Sequence, residues 1–188
     1  MSSPPSDDAR LEQFLAELRR EFPRFRLVEK RGNRLSRAID VALKIVSFGG
    51  QSTYLTEYRT VIGDTMYLPD SWDETTPIDR IICLRHERVH LRQRRRYTLP
   101  GMTILYLFLP LPVGLAWFRA RLEWEAYRET LRATFELKGP EALQNPKLRD
   151  AMIQRFIGPA YLWMWPFRHQ VARWYDEAIA ELAEGAGV

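Results

Sequence analysis

His86, Glu87 and His90 stand together in the run Leu84-Arg85-His86-Glu87-Arg88-Val89-His90, an H-E-x-x-H pattern. On a helix, positions i and i+4 share a face, so both imidazoles can reach one metal ion. The glutamate one place on is then close enough to take a proton from a water held by that ion. The chain has 3 histidines in its 188 residues, and two of them are here.

Two histidines do not complete a catalytic zinc site, which usually has three protein ligands and an open position for water. The single cysteine, Cys83, excludes a thiolate-rich site and an internal disulfide, and reads as a small core residue one turn before the motif. The third histidine is His169. A stronger source of the third ligand is the run Arg121-Leu122-Glu123-Trp124-Glu125-Ala126-Tyr127, on a predicted helix, where Glu123 follows His90 by 33 residues.

The H-E-x-x-H helix followed by this Glu-x-Glu-Ala helix resembles the gluzincin zinc metallopeptidases. The nearest patterns are the membrane-linked CAAX-prenyl-type proteases and small bacterial gluzincins. The likeness covers residues 54–134. It implies a zincin-like core and Zn2+ held by His86, His90 and Glu123, with Glu125 as the rival ligand. Ala126 takes the place of the small residue packed against the active helix. The family aspartate that supports a ligand histidine falls on Tyr127, so another group must orient the imidazole, the Tyr127 hydroxyl among the candidates. The implied reaction is peptide hydrolysis with Glu87 as general base. An oxyanion donor is also needed, and Tyr127 and His169 are the leading candidates, with Tyr161, Arg168 and Tyr175 behind them. His169 reads more readily as a half-buried histidine packed beside Trp165.

The elements that must position these groups follow from local signals. Ser6 or Asp7 caps a helix running to about Glu21, with Leu11, Phe14, Leu15 and Leu18 at helical spacing and Pro23 ending it. A short strand is predicted over 25–30 and a second helix over 36–46. Residues 54–62 and 65–68 form a hairpin about Gly63-Asp64, whose edge strand could take substrate as an added strand. Thr76 as N-cap, Pro77 at the first turn and Asp79 three after the cap start the active helix. Its inward side carries Ile78, Ile81, Ile82, Val89 and the two histidines. The glutamate helix runs from about Arg119 to Leu137, a further helix lies over 146–156, and the last runs from about Pro159 to Glu184. The fold class is α+β, mainly helical, as a single domain over 1–188 with a loose tail at 1–6.

The composition, 46% apolar and 28% charged with a net charge of +4, is that of a folded protein with a mild attraction for anionic surfaces. The polar start of the chain lacks the basic-then-apolar pattern of an export signal, which predicts a cytoplasmic protein. The apolar insertion at 99–118 raises a membrane question. A single crossing would put His90 and Glu123 on opposite sides of the bilayer. A re-entrant hairpin bent at Pro110-Leu111-Pro112, flanked by Arg92, Arg94, Arg95, Arg96, Arg119 and Arg121, would keep them together and give membrane-surface contact through 92–121. A protein-buried segment roofing the site satisfies the same pattern. The arginines read as a solvated helix end, and no specific nucleic-acid partner is expected. The expected function is a zinc metallopeptidase acting on a peptide or protein substrate. The alternative is a non-catalytic, metal-stabilised protein that binds lipid or a protein partner through its basic and aromatic surfaces.

Overall fold

The computed structural model describes residues 4–29, 60–68, 70–97, 116–158 and 164–186. The helix expected over 36–46, the first part of the hairpin's leading strand, and most of the apolar insertion at 99–118 lie outside them. The described residues form five α-helices and a three-stranded sheet, with short 3-10 turns at Asp70–Trp72 and Pro140–Gln144. Chain contacts divide them into two compact units, Met1–Ile81 and Ile82–Val188.

In the first unit, helix α1 (Asp7–Glu21) begins where the Ser6 hydroxyl accepts a hydrogen bond from the Ala9 amide at 3.2 Å. Leu11, Leu15, Leu18 and Phe22 recur at i, i+4, i+7 and i+11 and are all buried, the apolar stripe of an amphipathic helix. Pro23-Arg24 turns the chain into β1 (Arg26–Glu29). Strand β2 (Thr60–Ile62) pairs antiparallel with β3 (Thr65–Leu68) across Gly63-Asp64. Gly63 has φ 61°, a left-handed conformation that glycine enters without steric cost. Strand β1 joins β3 in parallel, Arg26 opposite Thr65 and Glu29 opposite Leu68, so the sheet order is β1-β3-β2.

Helix α2 (Pro77–Tyr97) starts as its local chemistry dictates. The Thr76 hydroxyl accepts from the Asp79 amide at 3.1 Å and donates to the Asp79 carboxylate at 2.7 Å. Arg80 fastens this first turn to the preceding loop, donating to the carbonyls of Trp72 and Asp73 at 3.1 and 3.0 Å with its guanidinium over the Trp72 ring.

The second unit holds the rest of α2 with α3 (Trp117–Lys138), α4 (Pro146–Ile157) and α5 (Arg168–Gly185). Its core gathers Ala120, Tyr127, Leu131, Ile153, Phe156, Val171 and Tyr175 from α3, α4 and α5. Ion pairs Arg149–Asp176 and Arg168–Asp150 join α4 to α5, and Arg128–Glu181 joins α3 to α5. The buried Tyr175 hydroxyl donates to the Leu143 carbonyl at 2.8 Å. Gly139, at φ 88°, ends α3.

The last helix departs from expectation. It begins at Arg168 rather than near Pro159, because residues 164–167 are not helical. Pro166 supplies the reason: its ring disfavours helical backbone at Trp165 and its nitrogen has no hydrogen to donate. Among the described residues no helix is long and apolar enough to cross a membrane.

Candidate metal centre

Helices α2 and α3 run antiparallel, and side-chain pairs set their register. Arg85 meets Glu129, His86 meets Thr130, His90 faces Glu123, and Gln93 reaches the Leu122 carbonyl. Arg85 donates to Glu129 at 2.6 Å and also pairs with Glu136. Burial opposes the charged guanidinium, but the two carboxylates outweigh it and raise the Arg85 pKa above its ordinary value. The residue before His86 is therefore a clamp between the helices and not a solvated arginine.

His86, His90 and Glu123 form a group that could hold a metal ion, with one ligand atom from each lying within 4.8 Å of the others. The two Nε2 atoms are 3.1 Å apart, and His90 Nε2 is 3.7 Å from Glu123 Oε2. Two nitrogens bound to one tetrahedral zinc at about 2.05 Å would stand about 3.3 Å apart, so the spacing fits. Glu123 is 5% exposed, and a carboxylate so far from water is stabilised by positive charge beside it.

Each imidazole is oriented through its other nitrogen. His86 Nδ1 lies 3.0 Å from Thr130 Oγ1, and a hydroxyl that gives its hydrogen to the Ala126 carbonyl, 3.2 Å away, accepts from the imidazole. His90 Nδ1 lies 3.0 Å from Gln93 Oε1. The Gln93 amide group donates to the Leu122 carbonyl at 2.9 Å and to Glu125 Oε2 at 3.0 Å, which leaves its oxygen to accept from His90. With hydrogen on both Nδ1 atoms the two Nε2 atoms face each other at 3.1 Å, a contact that a shared proton or a metal ion between them would stabilise. Burial lowers the His90 pKa, but the carboxylates of Glu123, Glu87 and Glu125 and the Gln93 hydrogen bond overcome it and hold the pKa above the usual value. The surroundings of His90 favour positive charge.

The sequence candidates fall into place as follows. His86, His90 and Glu123 come together, and Glu87 is near enough to His90 to act on its charge. Glu125 holds Gln93 and is outside the ligand group. Tyr127 meets the His86 ring edge-on at 4.9 Å with its own ring, and the group at His86 Nδ1 is Thr130. Ala126 is fully buried, as a small residue between packed helices should be. His169 is exposed in the first turn of α5, lining an open depression with Phe167, Arg168 and Arg173, and is not in the ligand group. Sequence reasoning missed Gln93 and Thr130. A signal existed: Gln93 is three residues after His90 and Thr130 seven after Glu123, both on the ligand face of their helices.

Comparison with protein-family models, with curated proteins and with solved structures gives no match. A functional reading of this chain therefore rests on the geometry of the α2–α3 pair.

Proposed function

We propose that the chain is a zinc-dependent peptidase. The observation that carries the reading is the convergence of two Nε2 atoms 3.1 Å apart beside a buried Glu123, on a helix that also carries Glu87. Two imidazoles and one carboxylate are a donor set of catalytic zinc sites, which leave one position open. An ion held there would acidify water and polarise a scissile carbonyl. Glu87 is the base: its carboxylate takes the proton from the attacking water and passes it to the departing amine. Glu123 and the two histidines hold the ion, and Thr130 and Gln93 keep the rings turned toward it.

The test separates metal binding from chemistry. Zinc per chain is measured by elemental mass spectrometry in the parent and in Glu87→Gln, and both are assayed on a mixture of fluorescence-quenched peptides. About one zinc in each, with hydrolysis lost only in the variant, supports the reading. Equal turnover in the two would overturn the role of Glu87. Absence of zinc in the reconstituted parent would overturn the site itself.

A further inference from the structure

Gln93 and Thr130 are unlike ordinary polar neighbours of a histidine pair. Gln93 is 4% exposed, and every hydrogen-bonding atom of its amide is committed. A side-chain amide can be turned end for end, but here the surroundings choose one orientation. The Leu122 carbonyl and the Glu125 carboxylate can only accept, so the NH2 end must face them and the oxygen must face His90. The Thr130 hydroxyl stands between the acceptor-only Ala126 carbonyl of its own helix and His86 Nδ1; with its hydrogen on the carbonyl, its lone pair meets Nδ1–H. Nδ1 of each ring then donates, which directs each Nε2 toward the neighbouring ring.

We infer that Gln93 and Thr130 are positioning residues that lock both ligand imidazoles as Nδ1–H tautomers, with Glu125 acting on the site through Gln93. The inference rests on the reading of His86 and His90 as metal ligands. It divides labour within the Glu-x-Glu run: Glu123 is a ligand, while Glu125 holds the amide that holds a ligand. It also makes both supports of the histidines neutral acceptors, one an amide and one a hydroxyl.

The experiment uses the full chain, labelled with 15N at histidine. With only 3 histidines in the sequence, His86, His90 and His169 are assigned by single substitution. Long-range 1H–15N spectra of the metal-free protein should show His86 and His90 with hydrogen on Nδ1. Thr130→Val should release His86 alone to a mixture of tautomers, and Gln93→Ala should release His90 alone. Zinc affinity, read by competition with a chromogenic chelator, should weaken about 10- to 100-fold in either variant. Thr130→Ser, which keeps the hydroxyl, should restore both the tautomer and the affinity. Nε2–H tautomers in the parent would overturn the inference. So would parent affinity in both Thr130→Val and Gln93→Ala, or failure of Thr130→Ser to recover what Thr130→Val loses. A parent with the locked tautomers but no affinity for zinc would instead overturn the metal reading, so the two failures are distinguishable.

Discussion

Glu123→Gln gives the sharpest test of the ligand set, because the substitution keeps the shape of the side chain and removes its charge. Glu123 is 5% exposed, and His90 Nε2 lies 3.7 Å from its carboxylate. Without metal, a neutral amide avoids the cost of burying a carboxylate and gives up a modest attraction to His90. The two effects oppose each other in the metal-free protein, and the chelator baseline of each protein reads their difference. With metal the balance differs. At free zinc roughly 1000-fold above Kd, binding to the native state stabilises the parent by about 4 kcal/mol. In a chain of this size that raises the melting temperature by about 8–16 °C. If losing one of three ligands weakens zinc about 100-fold, the same zinc concentration stabilises the variant by only about 1.4 kcal/mol. The rise then falls to about 3–6 °C. Scanning calorimetry of both proteins in chelator and in buffered zinc gives the comparison. A variant that shifts as far as the parent would show that Glu123 is not a ligand and would refute the reasoning.

Other parts of the fold make separate predictions. Arg85→Met keeps the apolar stem but leaves Glu129 and Glu136 without the clamp, and should cost about 2 kcal/mol in urea unfolding while weakening zinc binding through the α2–α3 register. Tyr175→Phe strands the Leu143 carbonyl and should cost about 1–3 kcal/mol. Burial raises the Tyr175 pKa above its ordinary 10.0, offset in part by Arg149 and helped by Asp176. Its stabilisation is therefore complete below that ordinary value and lost as pH rises through the folded one; an alkaline melting series should show the parent losing more stability than the phenylalanine variant. Gly139→Ala places a Cβ at φ 88°, 2.9 Å from the Glu141 carboxylate. The glutamate can swing away but the backbone cannot relax, so thermal unfolding should report a loss of about 1–3 kcal/mol.

What could be read from the sequence was local. The stripe of α1, the Gly63-Asp64 turn and the Thr76 cap are each written within a few neighbouring residues, and each appears where expected. The His86–His90 pair was also legible, because the two share a helical turn, whereas Glu123 came from the family resemblance and stands beside them as a group that could hold a metal. The parallel pairing of β1 with β3 joins Arg26 to Thr65, and no local pattern encodes a partner so distant. Arg85 shows the same limit at one residue. On its own helix it is one arginine among several; only the antiparallel approach of α3 brings Glu129 and Glu136 to it. The expected start of α5 lies near Pro159, but Pro166 is the proline that sets it, since residues 164–167 are not helical.

Thr130 and Gln93 bear on what an ion at this centre could do. Two neutral imidazoles and one carboxylate leave a divalent ion with a net positive charge. A carboxylate on each Nδ1 would draw the ring hydrogens, make the nitrogens more basic and cancel more of that charge. A hydroxyl and an amide oxygen orient the rings without that transfer. The negative charge that is present sits one step further out, on Glu125, with the Gln93 amide between it and His90. Were an ion bound, such supports would give up some affinity and leave it more of its charge. Carboxylate supports also serve catalytic zinc, so the neutral supports bear on how tightly an ion would be held and how much charge it would keep. Thr130→Asp checks this argument: placing a carboxylate on His86 Nδ1 should tighten zinc and slow peptide hydrolysis together. A variant that binds zinc more tightly and hydrolyses faster would refute it.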